Sequence, residues 1–189
     1  MALTAIDPTP ALVVIDLQKG IVQPGDGGGP FAGAVTRASR LAAEFRRHEL
    51  PVILVNVTGR APGRTETVRS RGAAIPPDGW ADLVDELDVR PGDHLITKRR
   101  RSAFHDTGLD TLLRDLGATQ VVLAGISTSS GVESTARSAS DHGYHVVLAT
   151  DAMDDPDAAA HRHSVEHVFP KLGETATSAD VAAMVEATR

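Results

Sequence analysis

The chain has 189 residues, 41% of them hydrophobic and 23% charged, which is enough ordinary apolar material for a sizeable buried core. Its 25 acidic residues outnumber 19 basic ones, a net charge of −6 that excludes a general nucleic-acid binder, because such proteins need a basic surface. No cysteine is present, so disulfides, thiolate metal sites and cysteine nucleophiles are all excluded.

Met1 to Pro10 lacks a basic segment followed by an apolar stretch, and no apolar run approaches the ~20 residues of a membrane helix. The expectation is a cytoplasmic protein without membrane contact. The first strand is predicted at ALVVID (11–16), with Asp16 at its end. PGDGGGP (24–30) reads as a flexible surface loop beside a pocket mouth. In AVTRASRLAAEFRRHEL, Val35, Ala38, Leu41, Ala42 and Phe45 recur at three and four residues, the spacing of an amphipathic helix. PVILVNV (51–57) is the second strand and HLIT (94–97) the third, with Lys98 at its end. LDTLLRDLGA (109–118) is a helix stopped by Gly117. QVVLAGI (120–126) is the fourth strand, and ESTARSASDHG (133–143) a helix ending at Gly143. YHVVLATD (144–151) is the fifth strand, and SADVAAMVEATR a last helix with Ser178 as N-cap.

Apolar runs without alternation suit strands covered on both faces, and strands alternating with helices give a doubly wound parallel α/β sheet. The segments form one domain, 1–189, without repeats or a dividing linker. Ligands of such sheets bind beyond the carboxyl ends of the strands. That rule gathers Asp16, Asn56, Lys98, the loop after Ile126 and Asp151 at one end.

GISTSSG (125–131) has the rhythm of a nucleophile elbow, but Ser129 stands where the G-x-S-x-G turn needs glycine. A nucleophilic Ser127 or Ser130 also lacks an evident base. The loop reads better as a donor site, since amides at a strand-to-helix junction suit a carboxylate or oxyanion. HRHSVEH (161–167) is not H-E-x-x-H and falls late in the chain, so a solvated helix face outweighs a metal site. His105 belongs to the loop before a helix. Arg99, Arg100 and Arg101 read as a solvated edge or subunit contact, with a second possibility of drawing an anion inward.

Together, ALVVIDLQKGI, ITKRRRSAFHDTGLDTLLRDLG and VVLAGISTSSGVESTARSASDHGYHVVLATDAM resemble the isochorismatase-like (cysteine hydrolase) superfamily. The resemblance covers nearly the whole chain and implies a six-stranded parallel sheet flanked by helices. It also implies an Asp–Lys–Cys triad whose matching positions are Asp16, Lys98 and Gly131. Glycine stands where amidase members carry the attacking cysteine, and the nicotinamidase-type metal ligands have no match around residues 52–70. Isochorismatases share that glycine and cleave a vinyl ether, which needs no covalent nucleophile. The expected site therefore has Asp16 and Lys98 as catalytic residues and Gln18, Ser127, Ser130 and Gly131 as substrate contacts, with no metal and no cofactor. A cis peptide at Ile126–Ser127, a small anionic substrate and a homo-oligomer are further implications. A hydrolase using Asp16 as acid leads. A binding or assembly protein with a degenerate site, and a serine-dependent amide hydrolase, compete with it.

Overall fold

The computed structural model describes residues 3–22, 29–66 and 77–189. Six parallel strands form one sheet: β1 (Pro10–Ile15), β2 (Val52–Val57), β3 (His94–Lys98), β4 (Gln120–Ile126), β5 (His145–Asp154) and β6 (Glu174–Ala176). Their spatial order is β3-β2-β1-β4-β5-β6. The chain thus builds outward from β1 in one direction and from β4 in the other. This reversal leaves a crevice at the carboxyl ends of the two central strands. Every residue of β1 and β4 is buried, as continuous apolar runs require in the middle of a two-sided sheet.

Alternate side chains of β1, β2, β4 and β5 feed separate cores. On one face Leu12, Val14, Leu54, Val122 and Val147 pack beneath α2 (Ala32–Arg47) and the C-terminal α6 (Ser178–Ala187). The expected stripe on α2 is realised, with Val35, Ala38, Leu41, Ala42 and Phe45 all buried. On the other face Ala11, Val13, Ile15, Val121 and Leu123 meet α3 (Leu109–Asp115) and α4 (Glu133–Asp141) through Leu109, Leu113, Ala136 and Ala139. Both of these helices stop at the expected glycines. Ala118 and Tyr144, just beyond them, donate backbone bonds back to Leu113 and Ala139 at 2.9 and 3.0 Å. Two further short helices are α1 (Lys19–Val22) and α5 (Ala158–His163).

Three local expectations change. The β5 strand continues past Asp151 to Asp154, because its pairing with β4 shifts register between Leu123 and Gly125. The N-cap of α6 is Thr177, not Ser178: Thr177 and Asp180 form a reciprocal capping box, while the Ser178 amide and hydroxyl bind Asp151 at 2.6 and 3.0 Å. Thr128–Val132 forms a wide π-type turn ahead of α4. Of the glycine-rich stretch 24–30, residues 24–28 lie outside the described residues. No helix among the described residues is long and apolar enough to cross a membrane.

Candidate active site

Asp16 leaves the end of β1 in a left-handed conformation, φ 52°, and its amide donates to Val55 O at 2.9 Å. Lys98 ends β3, two strands away, so its stem must cross the end of β2. It reaches Asp16 with Nζ 2.7 Å from Oδ2 and also donates to Arg100 O at 3.2 Å. Both side chains are buried, at 2% and 8% exposure for Lys98 and Asp16. The second carboxyl oxygen, Oδ1, is buried without a hydrogen-bond partner. Burial pushes the Asp16 carboxyl up to about 6, against the charge and hydrogen bond of Lys98, which act to lower it. The pair is therefore a strained compromise: one oxygen is held by an ammonium and the other is left unpaired.

Gly131 faces this carboxyl from the turn after β4. A Cβ on it would lie 3.2 Å from Asp16 Oδ2 and 3.0 Å from Ile15 Cγ2. The absence of a side chain here keeps open the space beside the acid. The close approach depends on Gly125, where φ is 109° and an added Cβ would lie 2.1 Å from Ile15 O. The next peptide, Ile126–Ser127, is cis, as the resemblance implied. The turn is braced from behind. Asp155 accepts from the Ser129 amide and hydroxyl at 2.8 and 2.7 Å, Thr128 Oγ1 lies 2.8 Å from His161 Nδ1, and Thr135 Oγ1 donates to Gly131 O at 2.7 Å.

A cavity of about 340 Å³ opens over these groups, lined by Asp16, Lys98, Ser127, Ser130 and Gly131 among others. Five of the six expected residues thus converge on one pocket. Gln18 does not line it. Its amide nitrogen donates to Val57 O and Trp80 O, both at 3.2 Å, and its oxygen accepts from Val57 N at 2.8 Å. Full burial and three backbone bonds make Gln18 a clasp between the end of β2 and the segment at Trp80. Asn56 likewise turns away to Ala81 O, at 2.9 Å. Asp151 serves α6 and also pairs with Arg37 at 3.3 Å. Among the described residues, neither Ser127 nor Ser130 bonds to an imidazole or carboxylate, so no activated serine is assembled.

Sequence reasoning missed the wall made by the segment after β2, with Gly59, Arg60, Ala61 and Thr65. The strand-end rule applied to Val57 points to it directly. Arg100 and Arg101 also line the cavity, while Arg99 and Arg101 stay exposed, so the basic run is both a solvated edge and part of the pocket wall. With Arg60 and Lys98 they make four cationic residues against one acid, Asp16, among the described lining residues. The histidine stretch also lies nearer than its late position suggested, because His161 touches Thr128.

The chain belongs to the isochorismatase family: residues 10–180 match the family's isochorismatase domain. It is 40% identical over 174 residues to the isochorismatase family protein YwoC of Bacillus subtilis (strain 168), covering 89% of each chain. It is 37% identical over 130 residues to the ureidoacrylate amidohydrolase RutB of Pantoea ananatis, covering 63% of this chain and 52% of that one. The structure of an isochorismatase family protein from Burkholderia thailandensis superposes with a TM-score of 0.88 at 37% identity, over 98% of this chain and all of that one. These relatives place the chain among hydrolases that include amidohydrolases.

Proposed function

We propose that this chain is a hydrolase of a small anionic substrate that works without a covalent nucleophile, through acid catalysis by Asp16 on an enolpyruvyl ether. The observation that carries this reading is the buried Asp16 carboxyl, braced on one oxygen by Lys98 and facing a glycine. Thioester chemistry of the cysteine-dependent relatives is closed to a chain without cysteine.

In the proposed reaction, protonated Asp16 gives its proton to the methylene carbon of the vinyl ether, converting the double bond to a methyl-bearing oxocarbenium ion. Water adds to that cation and returns a proton to the Asp16 carboxylate. The resulting hemiketal expels the alcohol and leaves pyruvate. Burial favours the neutral acid at the start. Lys98 positions the carboxyl and stabilises its ionised form after proton transfer. Arg60, Arg100 and Arg101 supply the field that draws in a carboxylate. The turn at Ser127–Gly131 receives a second anionic group, with Ser127 and Ser130 as candidate contacts.

The test is pyruvate release from isochorismate by the purified chain, with Asp16→Asn as control. Release that is lost in the variant is expected. Release that survives in Asp16→Asn, or that disappears in Ser127→Ala or Ser130→Ala while Asp16→Asn retains it, overturns the acid assignment.

A further inference from the structure

The helices α2 and α6 each run antiparallel to the strand before them, so both end on the side of the sheet opposite the pocket. Glu44 and His48 lie one turn apart at the end of α2, and Glu186 lies in the last turn of α6. One ligand atom from each of the three falls within 4.8 Å of the others. Arg47 ties the two acids together, donating to Glu44 Oε2 at 2.6 Å and to Glu186 Oε2.

The imidazole nitrogen Nε2 is the member that makes no hydrogen bond, although it lies within ion-pair reach of Glu186. His48 is only 10% exposed, and its Nε2 is buried without a hydrogen-bond partner. That nitrogen stands 3.4 Å from Glu186 Oε2 without hydrogen-bond geometry. A buried ring nitrogen ordinarily finds a partner, and this one points at two carboxylates. One imidazole and two carboxylates form a donor set for a borderline divalent ion. Two helix C-termini converge there and add negative potential to the same spot.

We propose that Glu44, His48 and Glu186 bind a divalent transition-metal ion of the Zn²⁺ class, which staples the C-terminal helix to α2. Tetrahedral bonds of ~2.0–2.1 Å need ligand atoms ~3.3 Å apart, a spacing that His48 Nε2 and Glu186 Oε2 already approach at 3.4 Å. Arg47, half exposed at 51%, moves into solvent as the ion replaces its guanidinium, and water completes the coordination.

The test titrates Zn²⁺ into the chelator-treated full chain by calorimetry, with Co²⁺ absorption reporting coordination geometry. One ion per chain is expected, with a thermal midpoint that rises on loading. His48→Ala and Glu186→Gln should each weaken binding at least as much as the ~10–100-fold loss caused by changes to outer partners of a metal site. Glu186→Gln serves as well where His48→Ala does not fold, because Glu186 is exposed. Arg47→Ala should tighten binding, since it removes the competing cation. Binding that is unchanged in Glu186→Gln, binding lost in His163→Ala instead, or no binding by either the native chain or Arg47→Ala overturns the proposal.

Discussion

Replacing Lys98 by methionine isolates the electrostatics at the floor of the pocket. The ammonium lies 2.7 Å from Asp16 Oδ2, and at an effective dielectric of ~20 two unit charges ~4 Å apart interact by ~4 kcal/mol. Without that charge, the burial that already pushes the carboxyl up to about 6 acts unopposed, and proton affinity should rise by about a hundredfold or more. A carboxyl whose folded pKa lies above its unfolded value stabilises the fold while protonated. That contribution is lost as pH rises through the folded pKa. In the native chain the loss runs between 3.8 and about 6. It totals about 3 kcal/mol, of which roughly half falls above about pH 5. In Lys98→Met the loss continues past neutrality, so the stability deficit against the native chain should widen by about 2 kcal/mol from about pH 5 to about pH 8. Urea unfolding, followed by the fluorescence of the single tryptophan, Trp80, measures it. Asp16→Asn should show a flatter pH dependence than the native chain over the same range. A Lys98→Met deficit that is constant, or that narrows with rising pH, would refute the assignment of burial as the dominant influence on Asp16.

The remaining predictions concern the reaction and the glycines. If Asp16 donates a proton, the rate of vinyl-ether cleavage should fall as pH rises past about 6. The same limb should move to higher pH in Lys98→Met, whereas a rate that climbs through this range would mark Asp16 as a base. Gly131→Cys should fold after shifts of a few tenths of an ångström, because its Cβ contacts at 3.0 and 3.2 Å are tight but not prohibitive. Its thiol should react with iodoacetamide faster than a free thiol, and mass spectrometry that finds it inert would count against an electropositive site. Gly125→Ala should cost more than about 3 kcal/mol or prevent folding, since the Cβ would strike Ile15 O at 2.1 Å. A urea midpoint near the native value would sink that argument.

What the sequence displays depends on whether a residue's partners are local. The runs 11–16, 51–57 and 120–126 announce their strands because burial on both faces demands unbroken apolar residues, whereas HLIT (94–97) forms an edge strand with Leu95 63% exposed. Asp16 and Lys98 are legible because a strand end is a fixed place in a parallel sheet. By contrast, β6 is only Glu174–Ala176, held by pairing to β5, and carries no pattern of its own. The cap of α6 was misplaced by one residue because Thr177 and Ser178 offer the same hydroxyl. Asp151, 27 residues away, takes Ser178 and leaves the cap to Thr177. Gln18 reads as a polar group beside an acid, and only the distant Val57 and Trp80 show where its amide goes. Arg60 is hidden for a different reason: it lies past the end of β2 in TGRAPGRTET, a polar stretch with neither strand nor helix spacing.

The absence of a thiol and the environment of Asp16 point toward the same chemistry. Beside a cysteine, an aspartate is useful as the group that takes the thiol proton, so it must be ionised before the reaction starts. Burial opposes that state here, since it outweighs both influences of Lys98 and raises the carboxyl to about 6. Beside glycine there is no proton to take, and the useful form is the one burial favours. In the proposed reaction Lys98 acts late, stabilising the carboxylate left behind, and so matters most where charge develops. This division predicts different roles for the two members of the pair. Asp16→Asn should abolish turnover at every pH, whereas Lys98→Met should retain a protonated acid that donates poorly. Measured single-turnover rates decide between them. Equal and complete loss in both variants would mean that the pair acts only as an intact unit, and the separation of acid from stabiliser would fail.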